Sequence, residues 1–152
     1  MKVQEVMSRN VRTCRPESNL AEAVRHMWEA DCGALPVVSN DSHVVGMITD
    51  RDICIAVATK GRTADRIAVR EVAANHIVHT CLAGDDTAAA LKTMQAHKIR
   101  RLPVVDGHGH LQGIVSLNDI VRHGDAASSS QITYALQSIC EPRATITAAS
   151  AA

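Results

Sequence analysis

Gly46-Met47-Ile48-Thr49-Asp50-Arg51-Asp52-Ile53 and Gly113-Ile114-Val115-Ser116-Leu117-Asn118-Asp119-Ile120 are two versions of one phrase. Each reads as the end of an apolar strand, a hydroxyl residue, and the first turn of a helix. Working outward, Val11–Ile53 returns at Val78–Ile120 with a constant offset of 67 residues and no gap. Cys14 falls on Cys81, Met27 on Met94, Leu35-Pro36-Val37-Val38 on Leu102-Pro103-Val104-Val105, and His43 on His110. Two copies are too few for a solenoid, which takes three or more stacked units. They point instead to a compact pair with pseudo-two-fold symmetry and a cleft between equivalent surfaces.

The pattern predicts strand, helix, strand, strand, helix in each copy, a mixed α+β fold with a small three-stranded sheet per repeat. First strands are expected at Val11–Cys14 and Ile77–Cys81. Ser18 or Asn19 then caps a helix whose Leu20, Val24, Met27 and Trp28 share one face; Asp85 or Asp86 caps its counterpart, with Leu91 and Met94 on the matching face. The apolar runs Leu35–Val38 and Leu102–Val105 read as strands buried on both sides. Ser39–His43 and Asp106–His110 read as hairpin loops, and Val44–Ile48 and Leu111–Val115 as the returning strands. The closing helices begin at Thr49 and Ser116. The expected partition is 1–66 for the first repeat and linker, and 67–124 for the second. A joint and short helix (Ile132–Ile139) follow over 125–142, then a disordered tail over 143–152.

Composition narrows the function classes. A hydrophobic fraction of 46% supplies a core, yet the chain has no Phe, one Trp and one Tyr, so Val, Ile, Leu, Met and Ala must build it. Scarce aromatics argue against single-stranded nucleic-acid binding, which leans on stacking platforms. Sixteen basic residues balance sixteen acidic ones, so no global field draws in nucleic acid or an anionic membrane. No signal-peptide pattern and no apolar run of about 20 residues is found, and a cytoplasmic location is the expectation. Five cysteines without CxxC spacing read as buried or free thiols.

In Thr49-x-x-Asp52 and Ser116-x-x-Asp119 the spacing is that of a capping box, the hydroxyl taking one helix-start amide and the acid reaching back to another. Its duplication at one place in both repeats suggests more. A helix N-terminus seats phosphate, and an aspartate beside it accepts hydrogen bonds from two neighbouring hydroxyls. Hydroxyl plus acid therefore suits a ribose phosphate, with Asp52 or Asp119 on the sugar and Thr49 or Ser116 toward phosphate.

The duplicated Gly-h-h-[Thr/Ser]-x-x-Asp-Ile phrase and the Leu-Pro-Val-Val strand before it resemble cystathionine-β-synthase (CBS) domains in a tandem pair, or Bateman module. The resemblance spans about residues 3–124. Thr-Asp-Arg-Asp-Ile and the ending Ile139-Cys140-Glu141-Pro142 look like stand-alone bacterial pairs of the hypoxic-response type. The resemblance implies a sensor that binds an adenosine-containing ligand (AMP, ADP, ATP or NAD) in the inter-repeat cleft. It makes Thr49, Asp52, Ser116 and Asp119 the ribose-phosphate contacts and puts Thr13 and Thr80 near the adenine edge. It lines the base pocket with Ala34, Pro36, Arg101 and Pro103, and offers Arg51, Arg100 and Arg101 as phosphate-binding cations. The copies differ here: Arg100 and Arg101 match Gly33 and Ala34, and Lys98 matches Asp31.

No nucleophile elbow, Walker loop, dinucleotide fingerprint or HExxH is present, so no catalytic residue is assigned. The expectation is a non-enzymatic module, homodimeric through the helices of both repeats, signalling to a protein effector in trans. The alternative is a metal- or redox-responsive pair that leaves the nucleotide clefts empty. It would draw on Cys14 and Cys81, which could approach across the pseudo-axis, and on His79 and His110; no metal ligand set is assigned.

Overall fold

The structure is a computed structural model and describes residues 1–73, 77–123 and 129–141. The joint expected near 126–130 lies partly, and the tail over 143–152 wholly, outside them. The order is α1 (Val3–Val6), α2 (Leu20–Glu29), β1 (Ala34–Val38), β2 (Val44–Thr49), α3 (Asp50–Lys60), a 3-10 turn (Ala64–Arg66) and α4 (Arg70–Ala73). The second half runs β3 (Cys81–Leu82), α5 (Thr87–His97), β4 (Arg101–Val105), β5 (Leu111–Ser116), α6 (Leu117–His123) and α7 (Ser129–Cys140).

Each repeat centres on an antiparallel hairpin, β1 with β2 and β4 with β5, in matching registers that pair Ala34 with Thr49 and Arg101 with Ser116. The leading strands are shorter than expected. β3 keeps two residues, parallel to β4, and its counterpart in the first repeat shrinks to one bridge between Cys14 and Val37. Pro16 has no N–H with which to add the next rung, where the second repeat has Ala83. Asn19 caps α2 by accepting from the Glu22 amide at 2.9 Å. Asp86 stands at the N-cap of α5 without capping it and pairs with Lys2 at 3.0 Å.

The repeat extends further back than Val11, across a one-residue change of offset. Here the offset is 66: Val3-Gln4-Glu5-Val6 answers Val69-Arg70-Glu71-Val72, keeping Val, Glu and Val. The hydrogen-bond donors follow the same shift, Val3 N–H to the Asp85 carbonyl and Val69 N–H to the Ser18 carbonyl. The short helices α1 and α4 are exchanged. Val3, Val6 and Met7 are buried in the core of the second repeat, with Cys81, Leu91, Met94, Leu102 and Val115. Ile67, Val69 and Ala73 lie in the core of the first, with Leu20, Leu35 and Ile48. A boundary at 66/67 divides the chain, but each core borrows its leading segment from the other side of that boundary. Ser8 and Ile114 exchange both backbone hydrogen bonds at 2.9 Å, and Leu20 N–H donates to the Ile67 carbonyl at 3.0 Å.

Helix α2 buries Leu20, Ala23 and Met27, not the expected quartet: Val24 is 43% and Trp28 87% exposed. Leu91, the counterpart of Val24, is buried because α7 covers it, with Ala135 in the second core and Ile132 and Ile139 packed against it. The helix faces of the two repeats are therefore not equally available, and only the first remains open.

The exchange requires glycine at Gly113. A Cβ there would lie 2.6 Å from the Ser8 carbonyl oxygen and 3.1 Å from Met7 Sδ, whereas one at Gly46 would meet Ala73 and Val37 side chains at 3.3 Å. Backbone cannot yield as side chains can. Gly113→Ala is expected to cost about 1–3 kcal/mol, the range for overpacking, and Gly46→Ala less, as read by urea unfolding. Equal costs would mean that Met7 and Ser8 do not press on β5.

Candidate functional site

The two phrases fold as their spacing requires. Thr49 caps α3: its Oγ1 accepts from the Asp52 amide at 3.1 Å, and Asp52 Oδ2 accepts from Thr49 N at 3.0 Å and from Thr49 Oγ1 at 2.6 Å. Ser116 and Asp119 repeat this at 3.2, 2.8 and 2.6 Å. Both are capping boxes, a motif whose hydroxyl alone contributes about 0.5–2 kcal/mol. The hydroxyl proton points at the carboxylate, so a phosphate at Thr49 or Ser116 must rotate it or use helix-start amides. In each box one carboxylate oxygen takes both bonds. Asp52 Oδ1 and Asp119 Oδ1 hold no hydrogen bond among the described residues.

Strand register decides what stands beside each box. Ala34, opposite Thr49, is buried; Arg101, opposite Ser116, is half-buried. Pro36 and Pro103 sit two residues further along the same strands, opposite Met47 and Ile114. Thr13 and Thr80 immediately precede the residues that pair with β1 and β4, which places them at that sheet edge. Thr13 also offers its carbonyl to His26 Nδ1 at 3.1 Å. Arg51 and Arg100 are exposed, and the Arg100 carbonyl accepts from Leu117 N at 2.9 Å, fixing the start of α6. Among the described residues Arg51, Arg100 and Arg101 have no carboxylate partner. No hydrogen bond or ion pair among those residues joins the Thr49 set to the Ser116 set.

The sets differ in charge for a reason visible in the packing. Asp50 Oδ2 sits 2.8 Å from where a Cβ on Gly33 would be. The first repeat thus carries a second carboxylate beside its box and no cation on β1. The equivalents of Gly33 and Asp50 are Arg100 and Leu117, so the second box has one carboxylate and two adjacent guanidinium groups.

The cysteines are not assembled. Cys14 lies in the first core and Cys81 in the second, each with Sγ 4.0 Å from a proline carbonyl, Pro36 or Pro103. Both are the buried thiols that the spacing suggested, and the approach across the pseudo-axis on which the alternative draws is not made. Burial, with help from Glu22, pushes the Cys14 thiol up to about 12. Burial and Asp85 do the same to Cys81, also to about 12. His79 stacks on His97 with ring centroids 3.4 Å apart, and burial, then His97, lowers its pKa. Among the described residues no three His, Cys, Asp or Glu side chains are grouped as a metal cage.

A concavity lies on the helix face of the first repeat, a surface through which the homodimer is expected to form. A groove of about 820 Å³ runs between α2 and α3 of the first repeat, lined by Val24, Trp28, Cys32, Ile53, Cys54 and Val57 among others. Val24, Trp28, Cys54 and Val57 stay exposed there, while Ile53 at its floor belongs to the first core. No helix among the described residues is long and apolar enough to cross a membrane.

This duplicated hairpin-and-box architecture matches the sequence pattern of the CBS domain twice, at residues 3–59 and 69–125. The chain belongs to the CBS-domain family. Both matched segments begin at the exchanged helices, so the family's unit includes α1 and α4. Hypoxic response protein 1 of Mycobacterium tuberculosis is 33% identical over 141 residues, 93% of this chain and 95% of that protein. A crystal structure of Hypoxic Response Protein I with two coordinated zinc ions superposes with a TM-score of 0.75 at 31% identity, covering 82% of this chain and all of that one. The CBS domain pair of protein MJ0100, in complex with 5′-methylthioadenosine and S-adenosyl-L-methionine, superposes with a TM-score of 0.72 at 25% identity, over 80% of this chain and 94% of that one.

Thiol chemistry checks the two cores. With thiols this high, Cys14 and Cys81 are expected to stay unmodified by an aromatic disulfide reagent at pH 8 in the native protein, while the exposed Cys54 and Cys140 react within minutes. All five react after unfolding. Fast native reaction of Cys81 would mean that α1 does not seal the second core.

Proposed function

We infer that the protein is a non-enzymatic CBS-pair sensor that binds an adenosine-containing ligand at the Ser116–Asp119 box. The carrying observation is that Asp119 Oδ1 holds no hydrogen bond among the described residues, in a box whose Ser116 the strand register sets opposite Arg101. A carboxylate oxygen with unused acceptor capacity suits a ribose diol; unpaired guanidinium groups suit the attached phosphate. The adenosine compounds bound by the MJ0100 pair support this ligand class. Asp50 beside the Thr49 box disfavours an anion there, so single occupancy is the expected state, with AMP, ADP, ATP and NAD all carrying the required ribose phosphate. Ligand binding shifts the population of shapes presented to a protein effector.

Calorimetry with AMP tests the assignment. Asp119→Ala is expected to weaken binding by about 1.5–3 kcal/mol, the range for hydrogen bonds to a charged acceptor, and Asp52→Ala far less. Arg101→Gln should weaken AMP while sparing adenosine, with a reduced salt dependence. No heat from any adenine nucleotide at millimolar concentration would contradict the reading, and equal losses from both aspartates would contradict single occupancy.

The open groove supports a homodimer through α2 and α3 of the first repeat, since α7 already covers the other face. Exposed apolar patches of more than a few hundred Å² usually mark interfaces, and two-fold closure is the commonest solution for identical chains. Sedimentation at micromolar concentration should return twice 16.3 kDa, and Trp28→Glu should return one chain. A monomeric parent protein would refute this assembly.

A further inference from the structure

The two hairpin loops meet at the opposite end of the strands from the boxes. Val44 N–H donates to the Gly109 carbonyl at 3.2 Å and Leu111 N–H to the Ser42 carbonyl at 3.1 Å. His43 and His110 are thereby paired as an antiparallel bridge between the repeats. Each follows a left-handed residue, Ser42 with φ 65° and Gly109 with φ 88°. Their ring centroids are 4.4 Å apart. A side chain at 109 would crowd this arrangement, because a Cβ there would lie 3.2 Å from His43 Cδ2.

Both rings are held from behind by a carboxylate. His110 Nδ1 lies 3.1 Å from Asp106 Oδ2, while Asp106 Oδ1 accepts from the His108 and His110 amides at 2.9 and 3.0 Å. His43 Nδ1 is buried 2.9 Å from Asp41 Oδ2, without the alignment of a hydrogen bond. At His110 the hydrogen-bonded carboxylate keeps the neutral imidazole's proton on Nδ1 and leaves Nε2 as an open donor of electrons; at His43 the nearby Asp41 carboxylate favours the same tautomer through its charge. Neither Nε2 has a protein partner among the described residues, and both side chains are more than a third exposed. A third imidazole, His108, is exposed with its ring 6.0 Å from that of His110.

We propose that His43 and His110, joined by His108, bind a divalent transition-metal ion that clamps the two repeats together at their hairpins. Imidazole donors select zinc, nickel or copper over magnesium and calcium, which take oxygen ligands. His108 must turn about its side-chain torsions to complete three donors, and water fills the fourth position. Asp41 and Asp106 are the outer partners that orient the rings. The strand β2 separates this site from the Thr49 box by roughly 17 Å at the usual rise per residue, so metal and nucleotide do not compete for residues.

The full chain, freed of metal with a chelator, is titrated with Zn²⁺ by calorimetry beside the double variant His43→Gln/His110→Gln and the variant Asp106→Asn. The double variant is expected to lose one Zn²⁺ per chain, and Asp106→Asn to weaken the same site about 10–100-fold. Imidazole ¹⁵N resonances of the unaltered protein give an independent reading: Nε2 of His43 and His110 should shift as one equivalent of Zn²⁺ is added. Unchanged zinc stoichiometry and affinity in the double variant, or shifts confined to other histidines, would overturn the site.

Discussion

The exchange of α1 and α4 is the constraint on which the rest of the structure depends. With aromatic residues nearly absent, each core is built from Val, Ile, Leu, Met and Ala. Each core is completed by the lead segment of the other half: Val3, Val6 and Met7 in one direction, Ile67, Val69 and Ala73 in the other. A fully buried side chain of this kind contributes about 1.5–3 kcal/mol, so neither repeat can leave without exposing the other. Gly113 and Gly46 mark where the borrowed segments press on the sheets. The exchanged segments tie the two halves by packing and by backbone hydrogen bonds, a physical link through which a ligand in one half could be felt in the other.

On this symmetric frame the chemistry is unequal. Backbone, capping boxes and strand registers repeat almost rung for rung, while the side chains around them do not. Gly33, Ala34 and Asp50 in one half face Arg100, Arg101 and Leu117 in the other. The first box therefore has a second carboxylate and a single arginine, Arg51, near it, and the second has two adjacent arginines and one carboxylate. The helix faces diverge in the same manner: α7 seals the second and leaves Val24 and Trp28 exposed on the first. Duplication supplied two of each surface, and the two copies differ in charge at the boxes and in cover at the helices.

Most of the fold was legible in the sequence because its signals are local. The Leu-Pro-Val-Val runs, the loops at Ser39–His43 and Asp106–His110, and the hydroxyl-x-x-Asp helix starts each state their structure within a few residues. The exchanged helices were not legible. Val3–Val6 and Arg70–Ala73 are one turn long, their common Val-x-Glu-Val stands one residue out of step with the later repeat, and they owe their positions to contacts distant in the chain. Trp28 was placed on a buried face because helical period alone cannot say whether a neighbour arrives to cover it; α7 reaches the second repeat and not the first. At the boxes, sequence gave the spacing but not the allocation of carboxylate oxygens. The meeting of His43 with His110 needed the hairpins in three dimensions.

The most direct measurement is the amide spectrum of ¹⁵N-labelled protein during titration with AMP. The account predicts saturable shifts at Arg101, Ser116, Leu117 and Asp119, with smaller changes at Thr49 and Asp52. A spectrum unmoved at millimolar AMP, or shifts confined to the groove around Val24, Trp28 and Val57, would contradict it.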